Sequence, residues 1–299
     1  MARAYARFSQ LSHLRLDLLE RVISRLPTPS YTSDLYDLLY DEAESITGRL
    51  EDELCWYLLP AEVDMRIDCP EPRPYLPLEA WLVKLVTITQ IALETAASDL
   101  IETILDQNML DHDPGDSHID WLNYYIKGRF RVSGVWGTIS KKVVDRDQIG
   151  ELYVTSGETL AGATSIVLTT AVTCRGGEIF WDSDRNQHLI ATSNSGATIT
   201  LDQWGTPETT IPTGTELRYC GALDKQIERM VLVGAYLNAY RKATVSPEPG
   251  ALESEKADKH AYKRGGTGGG TASPMDSYLQ EWAELEQYVK RIKAPKRWT

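Results

Sequence analysis

The sequence predicts an α+β protein: a small helical body of two packed helices far apart in the chain, an extended β excursion, an inserted antiparallel β-barrel or sandwich, and flexible terminal arms. Amphipathic periodicity marks one helix over residues 34–58 and a second over 223–242, and short Val-, Ile- and Thr-rich runs fill residues 151–221 between them. Because a helix is stabilised mainly by burying its apolar face, we expect the two helices to pack together.

Composition excludes several classes of protein. The 299 residues include four cysteines that lie apart and form no CxxC pair, so neither a zinc site nor a disulfide framework is predicted. The longest uncharged apolar run is far shorter than the ~20 residues that span a bilayer, and the N-terminus lacks the apolar stretch of a secretory signal. We therefore expect folding in a reducing cytoplasm, without membrane contact, metal or cofactor.

The net charge of −12 is concentrated in one region. Residues 31–125 hold 21 acidic and four basic residues, whereas residues 1–30 and 251–299 are mildly basic. An acidic surface repels nucleic acid. Two interpretations stay open: charge that only keeps the protein soluble, or a surface that DNA must pass without binding.

The first helix is the clearest element. Its leucines and isoleucine recur at three- and four-residue spacings with acids on the other face, Ser33 or Asp34 can cap it, and Pro60 marks its end. Residues 26–33 are typical of a linker. We therefore expect residues 1–25 to form a separate arm, with a helical spacing of leucines of its own.

The β excursion begins after Cys69. Four prolines within residues 69–77 forbid a helix, and the β-branched residues of 78–90 favour a strand. Residues 97–112 fit either a helix or a strand. The segment 111–118 (DHDPGDSH) predicts a solvated turn, which is favoured over a metal site because the spacing does not match a calcium loop.

Short Val-, Ile- and Thr-rich runs, separated by turn residues roughly every 8–12 residues, predict the inserted β domain over residues 141–221. After it, the helix at 223–242 carries Gly234 and Ala235, which would let another helix approach closely. Residues 246–273 have the Gly, Pro and charge content of a flexible linker. A final amphipathic helix follows, with Ser273 as its N-cap and Pro274 at its first position.

We expect no enzyme. The sequence lacks a nucleophile elbow, an HExxH motif, a Walker A loop and a dinucleotide fingerprint, and its five histidines are dispersed. The glycine-rich run at 265–270 lacks the Lys and Ser/Thr of a phosphate loop. No catalytic, cofactor-binding or metal-binding residue is therefore predicted.

The final helix is the one feature for which a functional interpretation is favoured. A Trp- and Leu-bearing amphipathic helix on a long tether can dock into a partner's groove, although it can also fold back on its own domain. The predicted docking residues are Tyr278, Leu279, Trp282, Leu285, Val289, Ile292 and Trp298.

The segment RVSGVWGT (131–138) places Trp136 between Gly134 and Gly137. We expect a strand in which Trp136 lies where the strand leaves the sheet and buries its ring against the helical pair, and in which the glycines permit close backbone approach or a bulge. The residues predicted for this body core are Val132, Gly134, Trp136 and Gly137.

Three segments together resemble the head–tail connector (adaptor) proteins of tailed bacteriophages. They are SDLYDLLYDEAESITGRLEDEL (33–54), RVSGVWGT and LDKQIERMVLVGAYLNAYRK (223–242), and the resemblance covers residues 33–140 and 222–243. The departure is the β domain at 141–221, since in simpler members the Trp-Gly segment runs almost directly into the last helix. The expected division is an arm (1–32), a connector body (33–140 and 222–245), an inserted β domain (141–221), a linker (246–273) and a docking helix (274–299).

The resemblance implies a structural virion protein of the neck, assembled in the host cytoplasm. Such proteins form rings, typically of twelve subunits, that bind the portal protein above and a stopper, nozzle or other tail component below. DNA passes through the lumen without specific binding. The alternative is a phage tail or fibre component with a carbohydrate-binding β domain, which Trp181, Trp204 and Tyr219 of the β section suggest.

Overall fold

The fold is known from a computed structural model. Its described residues are 4–23, 35–54, 57–78, 83–95, 101–104, 110–111, 118–121, 125–140, 148–244 and 274–292. They form an α+β protein with a large antiparallel sheet and few helices, which confirms the predicted class. The predicted linkers at 26–33 and 246–273 and residue Trp298 lie outside this range, as does most of the turn at 111–118.

The chain divides into two compact units. One comprises Met1–Arg49 and Gln226–Arg291, and the other comprises Leu50–Lys225 and Ile292–Thr299. We call them the helical unit and the β unit. The predicted boundary between a connector body and an inserted domain at residues 140/141 is not a boundary between these units.

The described residues include four α-helices and two short 3-10 helices, one of which, Gln203–Gly205, lies between two strands of the β section. The other helices belong mainly to the helical unit. These are the 3-10 helix Phe8–His13, α1 (Leu16–Ile23), α2 (Leu35–Leu54), α3 (Lys225–Thr244) and α4 (Pro274–Ile292). In α2 the side chains of Leu39 and Ile46 are buried while Asp37 and Asp41 are exposed, as the amphipathic pattern predicts. Helix α3 is buried on most of its circumference, and Arg241 and Lys242 lie in its last turn, where they complement the helix dipole.

Residues 4–23, the described part of the predicted arm, are not separate from the rest of the protein. Tyr5 and Leu19 are fully buried within the helical unit, and the backbone N–H of Tyr5 donates to the hydroxyl of Thr47 in α2 at 2.9 Å. The prediction of a separate arm was wrong because the apolar side chains of this segment, spaced for a helix, are buried within the helical unit, where Phe8 packs on Tyr36 of α2.

Thirteen strands make up the sheets of the described residues. They are β1 (Ala61–Arg73), β2 (Tyr75–Pro77), β3 (Val83–Thr95), β4 (Ile101–Ile104), β5 (Leu110–Asp111), β6 (His118–Trp121), β7 (Ile126–Ser140), β8 (Leu152–Val154), β9 (Ser165–Val167), β10 (Glu178–Asp182), β11 (Gln187–Ser195), β12 (Thr198–Leu201) and β13 (Glu216–Leu223). The predicted strand at 78–90 is present as β3, and the ambiguous segment 97–112 contains β4 and β5.

The long strands β1 and β3 flank β7 in antiparallel register. Their inward side chains, including Ile67, Leu85 and Val132, form one core together with Leu76 of β2 and Ile119 of β6. The strands β2, β6 and β5 form a separate three-stranded sheet, so this sheet covers the apolar face of the long strands. The opposite face of the long strands carries charge, since Asp68 lies 2.8 Å from Arg129.

The short strands β8 to β13 confirm the predicted β section, but they do not form a separate sheet. The ten-stranded sheet runs β4-β3-β7-β13-β10-β11-β12-β9, with β1 paired to β7 and β8 paired to β13. Ala222 and Leu223 of β13 pair with Ser140 and Ile139 of β7 and so continue the ribbon. The sheet is not closed into a barrel, and an isolated bridge between Thr155 and Leu168 links the regions of β8 and β9.

Candidate functional site

The most specific set of side-chain contacts in the helical unit holds α4. Helices α2 and α3 provide its floor, because the Ile46 side chain of α2 faces Gly234 of α3 and Lys242 forms an ion pair with the buried Glu42. We call the surface that receives α4 the α4 seat and define it by Arg15, Ile46, Arg49, Arg229, Gly234 and Tyr236.

The N-terminal segment is fixed beside this seat by a buried ion pair. The guanidinium of Arg7 donates two hydrogen bonds to the carboxylate of Glu228, at 2.7 and 2.8 Å, and the backbone N–H of Arg7 donates to the same carboxylate. Both side chains are almost fully buried, with 11% and 4% of their area exposed. Removing one partner of such a pair leaves an uncompensated buried charge.

Gly234 lets α4 approach α3 closely. A Cβ atom at this position would lie 2.5 Å from Cζ3 of Trp282, so only glycine accommodates the indole ring. The ring is held further by its Nε1–H, which donates to Glu286 at 3.0 Å, and by the guanidinium of Arg49, 5.7 Å from its centre. The structure thus confirms that Gly234 allows close approach by another helix.

A second anchor of α4 is bidentate. Arg229 of α3 donates to both oxygens of Glu281, at 2.6 and 2.9 Å. Hydrogen bonding to Glu281 is the main reason that the pKa of Arg229 is raised above its ordinary value. Two parallel hydrogen bonds of this kind fix orientation as well as distance.

Tyr278 joins α4 to both α3 and the N-terminal segment. Its hydroxyl accepts from the backbone N–H of Arg15 at 2.9 Å, and its ring centre lies 4.8 Å from that of Tyr236. The hydroxyl of Tyr236 donates to the carbonyl of the same Arg15 at 3.0 Å. Burial, and secondarily the neighbouring Tyr278, raises the pKa of Tyr236 above its ordinary value.

The residues predicted for docking to a partner are therefore partly engaged within their own chain. Tyr278 and Val289 are buried, with 7% and 2% exposed, whereas Leu279, Trp282 and Leu285 are half-buried. Ile292 ends α4 and its side chain is not described. These contacts correspond to the alternative in which the helix folds back on its own domain.

The segment 131–138 lies inside β7. Val132 and Trp136 are buried in the core of the β unit, among strand residues such as Leu85, and β7 continues to Ser140 beyond Trp136. The expectation that Trp136 marks the end of the strand and packs on the helical pair was wrong, because β7 continues to Ser140 and Trp136 belongs to the core cluster of the β unit.

The two glycines of this segment allow close approach, as expected. A Cβ at Gly134 would overlap the carbonyl oxygen of Thr87, which lies where the register between β3 and β7 shifts. A Cβ at Gly137 would lie 3.0 Å from Cα of Pro60. The segment is therefore a packing feature of the β unit.

The aromatic side chains that suggested carbohydrate binding do not form an exposed platform. Trp181, Trp204 and Tyr219 have 5%, 8% and 0% of their area exposed. Tyr219 packs on Phe180 with ring centres 5.2 Å apart, and Trp181 stacks on His188. Because these faces are already covered by protein, they cannot stack on a sugar without local opening.

The described residues provide no second candidate site. No group of three or more His, Cys, Asp or Glu side chains within the described ranges could hold a metal ion. Burial raises the pKa of Cys174 and Cys220 to about 12, so both stay protonated, poorly nucleophilic thiols. Of the helices in the described part of the chain, none is long and apolar enough to cross a membrane.

The chain was compared with protein-family models, curated proteins and solved structures, and none of them matches it.

Sequence reasoning missed most residues of the α4 seat. Arg15 and Tyr236 are 221 positions apart, as are Arg7 and Glu228, and nothing in their local sequence pairs them. One signal was present. One predicted helix carries the small residues Gly234 and Ala235, and a later amphipathic helix carries Trp282. A surface of small residues and a large ring are complementary in shape.

Proposed function

We propose that the chain is a structural protein of the tailed-bacteriophage neck, a head–tail connector (adaptor) that forms a ring beneath the portal protein. The observation that carries the proposal is the packing of α2 on α3. These helices correspond to the two helical segments of the family resemblance, and they meet through Ile46, Gly234 and the Glu42–Lys242 ion pair although about 190 residues separate them.

The surface charge fits a conduit for DNA. Asp37 and Asp41 are exposed on α2, and the outer face of β1 and β7 pairs acids with arginines, as in Asp68 with Arg129. Neither arrangement offers an unbalanced basic patch of the kind that grips phosphates. A ring, with twelve subunits as the expected number, would let DNA pass without specific binding.

The proposed partners are the portal protein on one side and a stopper, nozzle or other tail component on the other. Portal contact through Tyr278, Trp282 and Val289 would require α4 to leave its seat, because these side chains are engaged within the helical unit. Ile292 and Trp298 complete the proposed portal contact. Deleting residues 274–299 would uncover Gly234 and Tyr236, so we expect it to destabilise the helical unit as well as to abolish portal attachment.

Electron microscopy tests this function. We expect the purified chain to form closed rings when concentrated, and we expect cryo-EM of virion necks to show the chain between portal and tail. Gel-shift titration with duplex DNA should show no tight binding at physiological salt. A chain that stays monomeric under all conditions and is absent from virions would contradict the proposal.

A further inference from the structure

The contacts that hold α4 are made by side chains and not by continuity of the chain. Trp282 lies on Gly234, Glu281 binds Arg229, and Tyr278 binds the Arg15 backbone. The 29 residues between Thr244 and Pro274 lie outside the described ranges. The described geometry of the α4 seat would be the same if the helix belonged to another copy of the chain.

The helix and its seat are complementary in charge. Between Met275 and Val289 the helix contains four acidic residues and no lysine or arginine. The seat provides Arg229 against Glu281 at 2.6 Å and Arg49 against Glu286 at 3.8 Å. Complementary charge together with a bidentate pair and an indole fitted over glycine defines one register for the docked helix.

Chain length permits α4 to reach a neighbour. A connection of 29 residues spans at most ~100 Å when extended and has an r.m.s. span of roughly 30 Å as a flexible coil. A seat on an adjacent copy can be reached if it lies within the extended limit. Such a tether gives α4 an effective concentration near its own seat on the order of millimolar, which a neighbouring copy in a closed assembly can match.

We propose that the α4 seat is an exchange site, in which α4 of one chain occupies the seat of a second copy when the chains assemble. The exchanged helix makes the same contacts as in the single chain. Exchange therefore requires no new interface, and it links successive copies. This inference goes beyond the connector function and does not rest on it, because it concerns contacts between copies in any assembly of the chain.

Charge-swapped variants test the exchange. Arg229→Glu and Glu281→Arg each place like charges across the seat, so each variant alone should release its own α4. In an equal mixture, each α4 meets an opposite charge only on the seat of the other variant. We therefore expect the abundance of mixed oligomers in native mass spectrometry to be at least ~10-fold higher than the abundance of oligomers formed by either variant alone. The double variant R229E/E281R restores opposite charges within one chain and is the matched control.

The outcomes separate clearly. Mixed oligomers that contain both variants support exchange, provided that far-UV circular dichroism shows both variants to be folded. A mixture that stays as two separate species, while the double variant behaves as wild type, overturns the proposal.

A second measurement uses the unsubstituted chain, in case a single variant does not fold. The rings of Tyr236 and Tyr278 lie 4.8 Å apart, so photo-oxidation can join them as dityrosine. Isotopically heavy and light copies are unfolded together, refolded at high concentration and cross-linked. Exchange predicts mixed-isotope Tyr236–Tyr278 pairs in the oligomeric fraction as often as same-isotope pairs. Pairs of a single isotope only would overturn it.

Discussion

The β unit and the helical unit depend on different kinds of contact. In the β unit, long strands approach so closely that Gly134 leaves no room for a side chain beside Thr87. In the helical unit, the decisive contacts join charged or hydroxyl groups that are far apart in the sequence, such as Arg7 and Glu228. The β unit should therefore be sensitive to added volume, and the helical unit to the loss of a partner.

The largest effect should follow from added volume at Gly134. The substitution Gly134→Ala forces a Cβ into the carbonyl of Thr87, and separating β3 from β7 to relieve it should cost about 3 kcal/mol or more. Urea unfolding followed by tryptophan fluorescence measures this cost. Gly157→Ala is the control, because a Cβ there meets nothing within 4 Å, and it should change stability by less than about 0.5 kcal/mol. Equal stabilities of the two variants would contradict the close approach.

The second-largest effect should follow from removing the buried carboxylate that pairs with Arg7. Glu228→Gln removes the carboxylate charge that lies 2.7 Å from the buried guanidinium of Arg7, and we expect a loss of about 2–4 kcal/mol in the free energy of unfolding. The exposed Arg15–Asp17 pair provides the comparison, since Asp17→Asn should cost less than about 0.5 kcal/mol. If both substitutions cost the same, the Arg7–Glu228 pair does not hold the N-terminal segment.

The helical unit should also lose stability in alkali through Tyr236. Its folded-state pKa is raised by burial, so its contribution is fully present below about pH 10, the ordinary tyrosine pKa, and is lost as pH rises through the folded pKa. Tyr236→Phe removes the hydrogen bond to Arg15 and should be less stable at neutral pH but less dependent on pH above about 10. Thermal unfolding of both proteins across alkaline pH measures the difference, and parallel curves would exclude Tyr236 as the titrating group.

The smallest effects should have opposite signs at two helical glycines. Gly48→Ala meets nothing within 4 Å in α2 and should stabilise the protein by about 0.5–1 kcal/mol, because alanine is the better helix former. Gly234→Ala should cancel that gain or reverse it by displacing Trp282, which a red shift in fluorescence would report. In a Trp282→Ala background, Gly234→Ala no longer meets the indole, so it should be less unfavourable there than in the unsubstituted chain. A stabilising Gly234→Ala with unchanged fluorescence would show that the indole does not lie over Gly234.

The same contrast explains what the sequence could predict. Local sequence patterns were sufficient to predict three features: helix α2 from its leucine spacing, the strands of the β section, and the close approach at Gly134. The embedding of residues 4–19 was not predicted, and the seating of α4 was only the less favoured of two alternatives. Arg7–Glu228 and Arg15–Tyr278 pair residues more than 200 positions apart, which no local pattern shows. The position of Trp136 was misjudged since a Trp beside glycines indicates tight packing but not which layer encloses it.

Amide hydrogen exchange of the full chain most directly tests the central claim that α4 and the N-terminal segment are held by the same seat. In wild type, α4 and the amide of Arg15, bonded to Tyr278, should be protected. In Glu281→Arg both should lose protection together, while β7 in the β unit should keep its own. Unchanged exchange of α4 and of Arg15 in the variant would contradict the account.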